Sequence, residues 1–230
     1  MHTGADGVAG GVLLDTGLAP AADYLARRIS GLLRRGKKVL WLVPGGSAIE
    51  VAASAAKKLK DEELANLTVT LTDERYGPDG HPDSNWQQLK EAGFELPGAD
   101  LVPVLAGKNL EETTVRFNKK MKRCFEAADF SIGLFGIGTD GHTAGILPGS
   151  PAVDSPQLAA SFKGGDFERI TITPAAIAKL VIGIVYATGQ AKWPVLDRLS
   201  EEIPIDKQPA QALKAIPKLR IYNDYKGEEL

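Results

Sequence analysis

The sequence predicts an α/β fold: a Rossmann-like, mostly parallel sheet flanked by helices. Three observations predict it. Several short apolar runs lack polar–apolar alternation, as strands covered on both faces do. Amphipathic stretches with helical spacing lie between most of these runs. Glycine, capping residues and proline mark the junctions. Strands that alternate with helices along a chain favour parallel pairing through crossovers.

In chain order, the first ~10 residues are rich in glycine and alanine and are expected to fray. Leu18–Leu33 is the first amphipathic stretch, and Val39–Val43 (VLWLV) is a buried strand. Residues 47–59 place apolar side chains at 48, 49, 52, 55, 56 and 59, a helical stripe. Ser47, with Glu50 three positions on, has the form of a capping box ahead of that stripe. Residues 67–72 form the next strand, and Gly93 in KEAGFELPG suits a helix end. Asn109 and Glu112 repeat the capping-box pattern before the helix Leu110–Ala127. Strands are expected at 130–137, 170–173, 180–187 and 219–222, with a further helix at 190–199. Thr173-Pro174 reads as a cap followed by proline at the first helical position. No repeat, linker or composition shift divides the chain, so residues 1–230 are read as one domain.

Composition narrows the class of partner. Hydrophobic residues make up 43% and charged residues 24%, both ordinary for a soluble globular protein. The net charge is -2 and no basic block stands out, so neither nucleic acid nor a membrane surface is an expected partner. No apolar run approaches bilayer length, and the opening residues lack the basic start and apolar core of a signal peptide. Cys124 is the single cysteine; core packing on a helix face is its default role, and a reducing, cytoplasmic setting fits.

Four segments fall where strands end, the place where open α/β sheets bind ligands. In WLVPGGSAIE, Gly45 and Gly46 permit close backbone approach, and a helix beginning at Ser47 offers free N–H groups to a phosphate. A tight turn with Ser47 only as a cap explains the segment equally well. In TLTDERYGPDGHPDSNW, Asp73 can act as a base or an orienter, and Arg75 can hold an anionic group. Glu74 and His81 are read there as solvated loop residues, and Ser84-Asn85 as the start of a helix. In GIGTDGHTAGILPGS, Asp140 and His142 flank Gly141 just after a strand. Histidine titrates near neutral pH and can take a proton from water, while a carboxylate fixes its tautomer. Small neighbours leave room for a substrate. No second histidine or cysteine sits at ligand spacing, so no metal is expected. Lastly, Arg169 opens RITITP and Lys192 follows Gly189 near a helix start. Each completes a phosphate site or is a surface charge at a helix terminus.

Taken together these segments resemble the glucosamine-6-phosphate isomerase/6-phosphogluconolactonase family. The likeness runs through Gly45, Gly46 and Ser47, DER followed by HPDSN, GIGTDGHTAGILPGS, ERITIT, ATGQAK, PAQ at Pro209 to Gln211, and a late strand ending at Asp224. The deaminase branch carries a loop like G-H-I-A-F-N-E-P, with a proton-relay glutamate before the proline. Here Leu147 precedes Pro148, and HTAGILP is closer to the lactonase form H-T-A-S-L-F-P. Two departures from the lactonases are PGGSAI in place of S-G-G-S-T-P and Gly145 in place of serine.

The resemblance implies hydrolysis of 6-phospho-D-glucono-1,5-lactone to 6-phospho-D-gluconate, the second step of the oxidative pentose phosphate pathway, without metal or organic cofactor. His142 is the implied base, with Asp140 or Asp73 orienting it. Gly45, Gly46, Ser47, Arg75, Arg169 and Lys192 are the implied phosphate and oxyanion contacts. The implied partner is the sugar-phosphate lactone alone, on a monomer or weak dimer. Two rivals remain at this stage. One is a glucosamine-6-phosphate deaminase with Asp73 as proton shuttle. The other is a non-catalytic sugar-phosphate-binding module, for which no spare DNA-binding segment is evident.

Overall fold

The computed structural model describes residues 11–14 and 17–225, so the expected fraying of the start lies outside the described residues. Seven parallel strands make the main sheet: β1 (Gly11–Leu14), β2 (Val39–Val43), β3 (Leu67–Leu71), β5 (Asp100–Val102), β6 (Phe130–Phe135), β9 (Ile182–Ala187) and β10 (Lys218–Asn223). Their spatial order is β1-β10-β9-β6-β2-β3-β5, and every neighbouring pair is parallel. From β2 the chain builds outward through β3 and β5. From β6 it builds the other way, through β9 and β10. The direction therefore reverses between β2 and β6, and a crevice opens there at the carboxyl ends of the strands. β2 is buried at all five positions, which is why VLWLV reads as an unbroken apolar run.

Helices α1 (Leu18–Leu33), α2 (Ile49–Lys58), α3 (Asn85–Glu91), α4 (Leu110–Ala127), α5 (Pro174–Ile177) and α6 (Trp193–Asp197) complete the fold. α1 buries Ala21, Ala22, Leu25, Ala26, Ile29, Leu32 and Leu33, one face at helical spacing, and packs beside α2. α4 buries Thr113, Phe117 and Met121, each one turn further on. Its Asn118 Oδ1 accepts from Leu158 N (2.9 Å) and Ala159 N (3.2 Å), which ties the helix to a neighbouring strand. Cys124 is half-buried against the core, and burial pushes its thiol pKa up. No described helix is long and apolar enough to cross a membrane.

Capping follows the sequence at three places. Asn109 Oδ1 accepts from Glu112 N at 2.8 Å. Thr173 caps α5 ahead of Pro174. Gly93, at φ +79°, closes α3: its N–H reaches Lys90 O and that of Phe94 reaches Leu89 O, each at 3.0 Å.

Two readings need correcting at the level of the fold. The strand expected at 170–173 forms, but outside the parallel sheet. It belongs to β8 (Phe167–Ile172), which pairs antiparallel with β7 (Ala159–Gly164) and with β4 (Asp73–Arg75) in a separate three-stranded sheet. Thr72 is the hinge between the sheets: its N–H reaches Val43 O in β2, and its carbonyl accepts from Ile172 N, both at 2.8 Å. A single-residue connection of that kind leaves no periodicity to read. The second correction is the capping box at Ser47. A short 3₁₀ turn, Gly46–Ala48, precedes α2, and the Ser47 side chain caps nothing.

Candidate active site

The crevice above β9, β6, β2 and β3 holds a pocket of about 200 Å³. From the parallel sheet come Gly45, Gly46 and Ser47 after β2, Gly138 and His142 after β6, and Lys192 after β9. From the small sheet come Asp73 and Arg75 on β4 and Arg169 on β8. All of these except Gly138 are expected from the sequence to form one site. Asp140 does not line the pocket and stands behind His142. Asn85, the first residue of α3, does line it, and sequence reasoning saw it only as a helix start.

The loop after β6 sets the imidazole. Asp140 Oδ1 contacts His142 Nδ1 at 2.6 Å and accepts from His142 N at 3.1 Å. Burial raises the Asp140 carboxyl pKa, but the His142 bonds and charge outweigh it, and the net shift is downward. An ionised carboxylate only accepts, so it favours the proton on Nδ1, and in the neutral ring of that tautomer Nε2 carries the lone pair. Of the two carboxylates, Asp140 is the one that touches His142, and Asp73 makes its bonds elsewhere. Gly141 lies at φ +85°, and a Cβ on Gly138 would come within 2.2 Å of His142 Nδ1. Both glycines are therefore required for the turn. Ala144 is the one non-glycine residue with positive φ among those described, at 51°. That conformation costs roughly 1–2 kcal/mol for an L-residue, and it is held from both sides. Thr143 Oγ1 donates to Gly136 O, and Gly145 N donates to Thr171 Oγ1, each at 2.9 Å. A Cβ on Gly145 would lie 2.8 Å from that of Thr171 and 3.0 Å from that of Asp73, so serine does not fit here without a shift. PAQ supports the loop from behind through Ala210 N to Gly141 O at 2.9 Å.

The carboxylates of DER behave differently from one another. Asp73 is 6% exposed, and its two oxygens accept from Thr72 Oγ1 (3.0 Å) and Asn85 Nδ2 (3.1 Å). Glu74 is 1% exposed, which corrects its reading as a solvated loop residue. It accepts from Arg75 N (2.8 Å), Ser84 Oγ (2.9 Å), Asn85 N (2.6 Å) and Trp86 N (3.2 Å). Burial raises its pKa against these bonds. Glu74 thus satisfies the free N–H groups at the start of α3 and fixes Asn85 against Asp73. The spacing from Glu74 to Ser84 carries no local signal, so only folding shows this partnership. His81 Nε2 sits 2.9 Å from Arg75 O, a half-buried turn contact.

Three cations face the cavity. Lys192 Nζ donates to Ser47 Oγ at 3.2 Å, so the hydroxyl freed from capping stands beside the ammonium. Burial lowers the Lys192 pKa, partly offset by Asp224. Asp224 accepts from Gly189 N with both oxygens (3.0 and 2.9 Å) and from Trp193 Nε1 (3.0 Å), and so shapes the turn that carries Lys192. Arg75 and Arg169 are direct cross-strand partners. Burial lowers the Arg169 pKa, with Asp73 acting the other way. Among the described residues, none of the three cations pairs with a carboxylate within 4.0 Å. Their charge is free for an anion. No cluster of three or more histidine, cysteine, aspartate or glutamate side chains placed to hold a metal occurs among the described residues.

Comparison with known proteins shows the family and the fold. The model of the family described as glucosamine-6-phosphate isomerases/6-phosphogluconolactonase matches residues 15–220. A 6-phosphogluconolactonase of Pseudomonas aeruginosa is 26% identical over 219 residues, 86% of each chain. One of Caulobacter vibrioides is 30% identical over 164 residues, covering 66% of this chain and 67% of its own. Among solved structures, a 6-phosphogluconolactonase from Shewanella baltica has a TM-score of 0.79 at 20% identity, covering 94% of this chain and 98% of its own. A monomeric glucosamine-6-phosphate deaminase has a TM-score of 0.76 at 18% identity, covering 92% and 96%. The backbone is thus common to both activities. By the match of the family model to residues 15–220, this chain belongs to the glucosamine-6-phosphate isomerase/6-phosphogluconolactonase family.

Proposed function

We propose that this protein hydrolyses 6-phospho-D-glucono-1,5-lactone to 6-phospho-D-gluconate. The observation that carries the reading is the Asp140–His142 pair: His142 lines a pocket that three cations without carboxylate partners also line. Such a site suits a substrate with one anionic end and one electrophilic carbon. Relatives named 6-phosphogluconolactonase support the choice of substrate. So does Leu147, an apolar side chain where the deaminase loop carries a glutamate.

In the reaction, His142 Nε2 takes a proton from water as its oxygen bonds to the lactone carbonyl carbon. The carbonyl becomes an oxyanion beside cationic side chains and backbone N–H groups. Asp140 stabilises the imidazolium without taking its proton. When the tetrahedral centre collapses, the bond to the ring oxygen breaks and the imidazolium returns the proton to that oxygen. The Gly45, Gly46 and Ser47 turn, with Arg75, Arg169 and Lys192, holds the phosphate and the oxyanion. General-base help of about 10²–10⁴-fold plus positioning is enough for an already reactive ester.

The test is a coupled assay for 6-phosphogluconate with freshly prepared lactone, read against the uncatalysed blank, beside an ammonia-release assay on glucosamine-6-phosphate. Acceleration over the blank with no ammonia release is expected. Ammonia release without lactone hydrolysis assigns the deaminase reaction instead.

A further inference from the structure

We propose that Phe167 is a positioning residue that holds Arg75 and Arg169 aimed at the anionic end of the substrate. The inference rests on the lactonase reading and names a residue that no motif of the sequence points to. The starting observation is an electrostatic conflict. Arg75 and Arg169 are directly opposed on antiparallel strands, where like charges repel and destabilise the pair. No carboxylate within ion-pair distance relieves them among the described residues. Burial further disfavours the charge on Arg169.

What both guanidiniums do share is one aromatic ring. The Arg75 Cζ lies 5.2 Å and the Arg169 Cζ 5.8 Å from the centre of Phe167. Phe167 precedes Arg169 by two positions on β8, so the two side chains leave the same face of the strand. Arg75, opposite Arg169, reaches the ring diagonally across the ladder. An aromatic face stabilises a cation without neutralising it. A carboxylate in the same place would also relieve the repulsion, but it would compete with the anion that the site binds.

Backbone bonds set the remaining aim. Arg169 Nε donates to Gly164 O at 3.2 Å, and Arg75 Nη1 donates to Asp83 O at 3.2 Å. Arg75 Nε is buried with no partner of its own. The ring is the aromatic face that both arginines share among the described residues, and it stands outside the pocket lining.

The experiment compares Phe167→Leu and Phe167→Trp with the wild type. Leucine keeps apolar bulk and removes the π face; tryptophan keeps the face. Three quantities are measured: Kd for 6-phosphogluconate by calorimetry, KM and kcat for the lactone, and Tm. For Phe167→Leu we expect Kd and KM to rise by about 3- to 30-fold, the range of one to two cation–π contacts, with kcat changed less than about twofold. Phe167→Trp should restore Kd to within about twofold of wild type. Wild-type Kd in Phe167→Leu overturns the proposal. So does an equal loss in both variants, or a fall in kcat that tracks Tm, since those mark a purely structural role. If the wild type itself fails to bind 6-phosphogluconate, the lactonase reading fails first and this one falls with it.

Discussion

The two walls of the pocket are built on opposite plans. The wall above the parallel sheet consists of short turns after β2, β6 and β9. Its working groups are half-exposed and each has few internal partners. The His142 side chain is 38% exposed, and among the described residues its ring hydrogen-bonds to one protein group, Asp140. The wall from the small antiparallel sheet is held by buried polar bonds. Glu74 accepts four of them, and Asp73 and Asn85 are nearly inaccessible. In the proposed reaction the first wall supplies the base, on a group that can be removed without disturbing the core. The second supplies two arginines, braced by groups whose removal leaves buried donors stranded. The lesson is that activity and stability should separate in one wall and fall together in the other.

The sharpest way to break that contrast is His142→Ala. The expected result is a fall in kcat of about 10²–10⁴-fold with an unchanged circular dichroism spectrum and Tm. Near-normal turnover removes His142 from the base role, and a lost fold removes the contrast between the walls.

Next in size is Glu74→Ala. Four donors lose their acceptor in a buried site, where each stranded group costs about 1–3 kcal/mol before relaxation or water entry. We expect a net destabilisation of roughly 2–5 kcal/mol by denaturant titration, together with reduced lactone turnover as Asn85 and Asp73 lose their support. Loss of stability with full activity would show that the network only holds α3.

The smallest expected effect is a shift in pH dependence. Burial lowers the Lys192 pKa, so the ammonium loses its proton below the usual lysine range. Affinity for 6-phosphogluconate should therefore weaken earlier on the alkaline side than an ordinary lysine would allow. Asp224 raises the Lys192 pKa, so Asp224→Asn should move this limb to lower pH still, by a few-fold change in Kd. Lys192→Arg, which stays charged, should abolish the limb. Calorimetric Kd against pH for the three proteins reads the outcome, and an Asp224→Asn limb that moves upward contradicts the assignment.

Legibility in the sequence follows the same division. The parallel-sheet wall was readable because its signals are local. The VLWLV run, the glycines around Gly45 and Gly138, and the Asp140-Gly141-His142 spacing each report their own turn or strand. The antiparallel wall was readable in residue type only. Nothing local in DER marks a strand of a second sheet, and nothing in RITIT marks antiparallel pairing with it. Glu74 looked solvated because nothing within a few residues pairs with it; its partners at Ser84, Asn85 and Trp86 arrive from another element. Ser47 looked like a cap because the local pattern fits one, and the 3₁₀ turn with Lys192 gives its hydroxyl another use.

By itself, then, the sequence determined the alternation of strands and helices, the turns that end β2, β6 and β9, and the residue types gathered there. These depend on periodicity and on backbone chemistry within a few residues. Only the tertiary structure decided that Asp140 rather than Asp73 meets His142, that Glu74 is buried, and that Arg75 and Arg169 oppose each other beside Phe167. Those outcomes depend on strand register and on which surfaces leave water together, and neither quantity is encoded in any short stretch of chain.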